Sequence, residues 1–178
     1  MADIDRTDTG RVVLRLDEEE RMVLRSLGEQ IIELIAATER PDEDPLAALV
    51  GIDAHAARPS DPAVARLLPD AYRDDEEAAS DFRRFTEREL RDGKVANARS
   101  VLASLEQSGE KVVLSDAEVH AWVGFLNDAR LALGTRLEIT EEDHSLVDLP
   151  EGDPRFGWMQ LYSWLTYLQD SVVELLLS

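Results

Sequence analysis

The chain contains no cysteine among its 178 residues. This absence excludes disulfide bonds, thiolate nucleophiles, iron–sulfur clusters and zinc sites built on cysteine. The opening residues, MADIDRTDTG, have mixed charge and lack the apolar stretch of a secretory signal peptide. The longest weakly charged stretch, residues 156–178, carries too many polar side chains to cross a membrane. We therefore expect a cytoplasmic protein with no membrane contact.

Basic residues are also scarce. Lysine and arginine number 19 against 38 aspartates and glutamates, which gives a net charge of −19. A surface of this charge repels nucleic acid and anionic membranes unless the charges are sorted locally. Apolar residues make up 44% of the chain, which excludes global disorder and supplies enough side chains for a core. The length fits one domain, and we expect residues 1–178 to form a single helical domain.

Two short β-branched runs each precede a helix start. The run RVVLRL is followed by Asp17 and then Glu20, and the run KVVL is followed by Ser115 and then Glu118. This spacing is typical of a capping box, in which two side chains satisfy free N–H groups at the start of a helix. We expect two strands that pair with each other, each followed by a long helix.

The middle of the chain is expected to hold short helices and then longer ones. Five of the seven prolines fall between about residues 40 and 70, which predicts an irregular segment. Two short helices should open there on Asp-Pro, at 44–52 and 61–70. Between 74 and 109 the pattern predicts a helix that Gly93 ends or bends, followed by a second helix. The first of these two should pack through four apolar residues: Ala78, Phe82, Phe85 and Leu90.

The last helix has a broad apolar stripe. From about Pro154, large apolar residues recur at spacings of three and four, which is the period of an α-helix. The breadth of the stripe indicates two packing surfaces, so this helix is either the central core helix, which the periodicity favours, or a dimer helix. Core packing is the favoured role of its aromatic residues, and an interface is the alternative, because tryptophan and tyrosine dominate interface hot spots. The candidate interface residues are Trp158, Tyr162, Trp164 and Leu165.

A cluster of basic residues lies between Arg83 and Arg99. Arg84, Arg88 and Arg91 fall on one helix face by their spacing, and they could contact an anion or a partner. Carboxylates interleave with these arginines, so salt links within the protein are the favoured interpretation. The alternative is a transcription-associated DNA-binding regulator that uses this helix region together with the paired strands.

Acidic residues and histidine occur together twice but match no metal-binding motif. Asp116, Glu118 and His120 open a helix, where capping explains them, and residues 141–144, EEDH, are typical of a solvated loop. The chain has no Gly-rich phosphate loop and no nucleophile elbow. Four polar residues interrupt the helix that begins near Asp116: Asn127, Asp128, Arg130 and Arg136. An arginine there could bind an anionic ligand, but we assign no catalytic, metal or cofactor-binding residue, and we expect neither enzyme activity nor a cofactor.

Four segments together are distinctive: RVVLRLDEEERMVLRSLGEQIIELI, LLPDAYRDDEEAASDFRRFTERELRDGKVANA, WVGFLNDARLALGTRLEIT and WLTYLQDSVVELLL. They resemble an uncharacterised actinobacterial family, the domain of unknown function DUF2017, over nearly the whole chain. The resemblance implies the fold class and the cytoplasmic location, but it brings no established activity. Members are often encoded near the adaptor of the Clp protease, and some carry a transcriptional-regulator label. Neither association assigns a role to a residue of this chain.

The predicted fold is mainly α, a multi-helix bundle with a small two-stranded β-ribbon. The expected function is that of a non-enzymatic protein-interaction or adaptor-like module. A broad apolar helix and a strongly acidic surface, without a reaction motif, favour this function over catalysis. We expect a homodimer and a protein partner that the sequence does not identify, and we do not expect nucleic-acid binding.

Overall fold

The structure, a computed structural model, describes residues 3–8, 10–36, 58–72, 74–139, 149–150 and 152–177. In these residues the fold is mainly α, as predicted, with a small antiparallel sheet beside the helices. The strands are β1 (Asp3–Arg6), β2 (Val12–Arg15) and β3 (Lys111–Leu114). The helices are α1 (Glu18–Ala36), α2 (Pro62–Leu67), α3 (Glu76–Leu105), α4 (Asp116–Arg136) and α5 (Phe156–Leu177).

The predicted pair of strands is present and has a third strand beside it. β2 lies in the middle and pairs antiparallel with both β1 and β3. β1 was not predicted, since its sequence, DIDR, holds a single apolar residue, Ile4. Arg15 on β2 donates hydrogen bonds to two acidic residues of β1, at 2.5 Å to Asp3 and 3.4 Å to Asp5. β1 therefore lacks the apolar alternation by which strands are usually identified, and charge pairing across the strands joins it to β2.

The helices begin where the capping residues predict. The backbone N–H of Glu20 donates to the Asp17 carboxylate at 2.8 Å, and the backbone N–H of Asp17 donates to the Glu20 carboxylate at 3.1 Å. Ser115 and Glu118 form the same reciprocal box at the start of α4. The carboxylate of Asp61 accepts hydrogen bonds from two backbone N–H groups of α2, so this Asp-Pro helix is confirmed. The other predicted Asp-Pro helix, at 44–52, lies outside the described residues.

The prediction of two helices between 74 and 109 is wrong. α3 runs unbroken for 30 residues and includes Gly93, so there is no separate second helix. Glycine inside a helix costs roughly 1 kcal/mol relative to alanine. The packing of α3 along both α1 and α4 outweighs that cost, because the neighbouring helices hold the backbone on both sides of the glycine.

α4 is the central helix of the described residues. It packs against α2, α3 and α5, and it carries the two largest fully buried side chains, Trp122 and Phe125. The indole N–H of Trp122 donates to the Ser104 hydroxyl of α3 at 3.0 Å. This bond satisfies the polar group of the indole inside the core.

α5 packs on α4 through one buried stripe: Met159, Leu165, Leu168 and Val172. Its second side is partly exposed, so the central position that the sequence favoured for α5 belongs to α4 instead. No described helix combines the length and the apolar composition needed to cross a bilayer.

Candidate interaction surface on the long helix

Four large apolar side chains are exposed on α3 and just before it. We call them the α3 patch: Tyr72, Phe82, Phe85 and Leu90, which are 51%, 47%, 58% and 42% exposed. Phe82 and Phe85 are neighbours at helical spacing. The ring of Tyr72 meets that of Phe82 edge to face, with 6.1 Å between the ring centroids. The prediction that Phe82, Phe85 and Leu90 form the packing side of this helix is therefore wrong.

Charged side chains occupy the inward side of the same helix turns. Arg83 and Glu87 are buried, and each is 8% exposed. Arg83 forms a salt bridge with Asp70, and its Nε lies 3.5 Å from Glu87 Oε2. Arg91 donates to Glu87 Oε1 at 2.9 Å through Nε, and to the backbone carbonyl of Ile35 at 2.9 Å through a terminal nitrogen. These bonds compensate the burial of the charges, and we call Asp70, Arg83, Glu87 and Arg91 the ion ladder.

The ion ladder turns the aromatic residues outward. Its members on α3 recur every four residues, so they share one helix face, and that face is held against Asp70 and the end of α1. Phe82 and Phe85 lie outside this face and cannot pack inward at the same time. The interleaved charges at 83, 87 and 91 indicated salt links within the protein, but the sequence pattern did not predict that these charges are buried on the inward face.

The three arginines predicted to share a face all lie on the unbroken helix α3 at spacings of four and three, and their side chains have different surroundings. Arg91 belongs to the ion ladder and points toward the end of α1. Arg84 lies 3.6 Å from Asp81, and its side chain is 38% exposed. Arg88 is half-buried between them. Arg84 and Arg91 thus form salt bridges within the protein. Contact of the three arginines with an anion or a partner stays a prediction.

A buried ion pair joins α3 to α4 next to the α3 patch. Lys94 Nζ lies 2.6 Å from Asp128 Oδ1, and Asp128 is 2% exposed. Burial raises the pKa of the Asp128 carboxyl, and the nearby Lys94 ammonium partly offsets that rise. The pair lines a groove of about 480 Å³ between the two helices. Gly124 keeps α4 close to α3 there, because a Cβ at this position would lie 2.5 Å from Asn97 Nδ2.

The four candidate interface residues of α5 have different environments. Leu165 is fully buried, whereas Trp158 is 55% exposed. Trp164 and Tyr162 are half-buried, and the guanidinium of Arg130 lies 5.5 Å from the centre of the Tyr162 ring. Trp158 also borders an apolar groove of about 620 Å³ between α1 and α4. Their role as an interface stays a prediction.

The polar residues considered for catalysis or metal binding make structural contacts within the protein. His120 Nδ1 lies 2.7 Å from the backbone carbonyl of Asp116, and Glu118 serves the cap of α4, where its hydrogen bonds with Ser115 lower its pKa. Arg130 donates to Gln169 at 2.6 Å, and Arg136 lies 3.9 Å from Asp61. Within the described residues, no group of three or more histidine, aspartate or glutamate side chains could hold a metal ion. The predicted cluster at 141–144 lies outside these residues.

The family model of the domain of unknown function DUF2017 matches residues 1–176. The chain is 32% identical over 189 residues to the oxidative stress regulator AosR of Mycobacterium tuberculosis, a match that covers 98% of this chain and 86% of that protein. The protein of the same name from Mycobacterium bovis matches with the same identity and coverage. No solved structure matches the chain. The family match includes all the residues that form the α3 patch and the ion ladder.

Proposed function

The chain belongs to the family of the domain of unknown function DUF2017, and on that premise we propose that it is a cytoplasmic regulator of the oxidative stress response. It acts through contacts with another protein and not by catalysis. The name of its relatives supports the regulatory role, and the exposed α3 patch is the single observation that carries the contact surface.

The composition of the α3 patch supports a protein contact. It joins two phenylalanines and a leucine of α3 to a tyrosine just before this helix, and aromatic side chains are enriched at the centres of interfaces. An exposed apolar patch rimmed by polar residues is a feature of interaction sites. The ion ladder holds the inward face of α3, so the patch is already ordered in the free protein. Less conformational entropy is therefore lost when a partner binds.

The polar residues considered for catalysis form structural bonds within the protein, which supports a non-enzymatic role. Asp128 pairs with Lys94, Arg130 bonds to Gln169, and Glu118 caps a helix. Each of these groups already has a structural partner, whereas a catalytic acid, base or anion-binding group needs to face its substrate.

The absence of cysteine restricts how this protein responds to oxidants. Thiol oxidation is the common reversible route of redox sensing, and this chain has no thiol. Its described methionines are Met22, which is 56% exposed, and Met159, which is buried. We infer that the oxidant signal reaches this protein through its partner, so that its own role lies downstream of the sensing step.

The proposal is tested by genetic complementation of a deletion strain of the source organism. A strain that lacks this gene is supplied with the wild type, with the double variant Phe82→Asp/Phe85→Asp, or with Met22→Asp/Val23→Asp as a matched control on α1. The two substituted pairs, Phe82 with Phe85 and Met22 with Val23, are exposed, so both variants should fold, which circular dichroism checks. We expect peroxide survival to be restored by the wild type and the α1 control but not by the α3 variant. Equal restoration by both variants contradicts the α3 surface, and unchanged survival of the deletion strain contradicts the regulatory role.

A DNA-binding regulator is the second candidate, because the relatives' name is compatible with it. Four of the six basic residues from Arg83 to Arg99 already face carboxylates: Arg83, Arg84, Arg91 and Lys94. The net charge of −19 opposes DNA binding as well. If this candidate holds, promoter DNA is shifted in a gel at low salt, and replacing Arg84 and Arg88 by alanine weakens the shift and its salt dependence.

We also propose that the protein is a homodimer through the start of α5. Trp158 supports this, since it is a largely exposed tryptophan beside an apolar groove. Size-exclusion chromatography with light scattering should give twice the chain mass for the wild type and the chain mass for Trp158→Ser. A monomeric wild type at tens of micromolar, roughly the range of weak dimers, contradicts the proposal.

A further inference from the structure

We propose that the α3 patch binds a basic amphipathic helix of a partner protein, with an apolar stripe flanked by lysine or arginine. The inference rests on the proposed protein-contact function and adds the shape and the charge of the partner. It is carried by three observations: the exposed apolar residues, the carboxylates around them and the groove beside them.

Exposed carboxylates surround the α3 patch. We call them the acidic rim, and there are seven between residues 74 and 92: Asp74, Asp75, Glu76, Glu77, Asp81, Glu89 and Asp92. Two cations of the same stretch, Arg83 and Arg91, point inward into the ion ladder. Arg84 lies beside Asp81, and Arg88, the fourth arginine of the stretch, is half-buried, so the seven exposed carboxylates outnumber the outward cations. The outward charge near the patch is therefore negative, and an electrostatically complementary partner carries basic residues around its apolar face.

The groove beside the patch gives the partner a shape to fit. It lies between α3 and α4, and Leu90 and Glu89 form part of its lining together with the Lys94–Asp128 pair. Gly93 lies on its α3 side, where an added Cβ would meet no atom within 4 Å. An apolar ridge on the partner can pack on Phe82 and Phe85 while the next side chain enters the groove. A helix presents side chains at this spacing, three or four residues apart.

A second copy of the chain fits this face less well than a basic helix does. It would bring the same acidic rim against itself and add a second net charge of −19. Like charges placed together across an interface oppose association. A dimer through α5 is compatible with the inference, because that surface is separate from the α3 patch.

The test uses three designed amphipathic helical peptides as probes. They share one leucine-rich stripe and differ only in the flanking residues, which are lysine, glutamine or glutamate. Binding to the full chain is measured by fluorescence anisotropy at low and at physiological salt. The variants are Phe82→Ser/Phe85→Ser for the patch and Glu89→Lys for the rim. Glu29→Lys on α1 is the control for Glu89→Lys, because it makes the same change in net charge at an exposed position outside the rim.

We expect the lysine-flanked peptide to bind about tenfold tighter than the glutamate-flanked one at low salt, with a smaller ratio at physiological salt. The patch variant should lose about tenfold in affinity for the lysine-flanked peptide. Glu89→Lys should lose about threefold, and Glu29→Lys should lose less.

Other outcomes overturn the inference in distinguishable ways. If all three peptides bind equally and the patch variant weakens all of them, the protein-contact function stands and the basic partner is rejected. If the patch variant binds the lysine-flanked peptide as tightly as the wild type does, the attraction is general charge and the α3 patch is not the site. If the wild type self-associates and the patch variant does not, the occupant of the patch is a second copy of the chain.

Discussion

Replacing Phe85 by alanine should cost little stability, although a phenylalanine at helical spacing usually belongs to a core. Fully burying such a side chain is worth about 1.5–3 kcal/mol. Phe85 is 58% exposed, so less than half of its surface leaves water when the protein folds. Alanine also has the higher helix propensity, by a few tenths of a kcal/mol. We therefore expect Phe85→Ala to lower the free energy of unfolding by about 1 kcal/mol or less.

Phe125→Ala is the matched control for Phe85→Ala. Phe125 is 1% exposed at the centre of α4, and its truncation should cost about 3–5 kcal/mol through lost burial and a cavity. Both free energies are measured by urea unfolding, followed by far-ultraviolet circular dichroism. If Phe85→Ala costs as much as Phe125→Ala, then Phe85 is a core residue, and the orientation of α3 described above is wrong.

Three further changes test the polar contacts that fix α3. Lys94→Met should cost about 3–5 kcal/mol at neutral pH, because it leaves a buried carboxylate without its partner; adding Asp128→Leu should recover most of the loss in the same urea experiment. The pKa of Asp128 is raised in the folded protein, so the stability this carboxyl contributes is fully present below its ordinary pKa of 3.8 and is lost as the pH rises through the raised value. The unfolding free energy of the wild type minus that of Asp128→Asn should therefore fall as the pH rises through this window, and a difference that rises refutes the assignment. Arg21 is buried and donates to three backbone carbonyls at and after the end of α3, so Arg21→Ala should cost about 3 kcal/mol, and a loss below 1 kcal/mol in thermal or urea unfolding contradicts that role.

The parts of the fold that could be predicted depend on local signals. The two capping boxes need only residues three positions apart, and both boxes are present. The pairing of β2 with β3 follows from two β-branched runs that each lack another partner in the sequence pattern. β1 could not be found in this way, since its identification depends on Arg15, which lies in a different strand.

The orientation of α3 could not be predicted, because it is set by tertiary contacts. The apolar pattern of the sequence predicts that Phe82 and Phe85 face the core. The bonds of Arg83 to Asp70 and of Arg91 to the end of α1 turn the opposite face of α3 inward, so the two phenylalanines face outward. Buried charges are rare, so a pattern rule does not assign arginine and glutamate to the inward face of a helix. The same limit applies to the Lys94–Asp128 pair, whose members are 34 residues apart in the chain.

The central claim is that the outer face of α3 contacts another protein, and site-specific photo-crosslinking tests it most directly. A photoreactive phenylalanine analogue is placed at Phe85 or, as the control, at the exposed Met22 of α1, in cells before and after peroxide treatment. The account predicts a crosslink from position 85 to a lysine- or arginine-rich amphipathic helix of a different protein, identified by mass spectrometry, and no such product from position 22. Crosslinks from position 85 only to a second copy of this chain, or the same products from both positions, would contradict it.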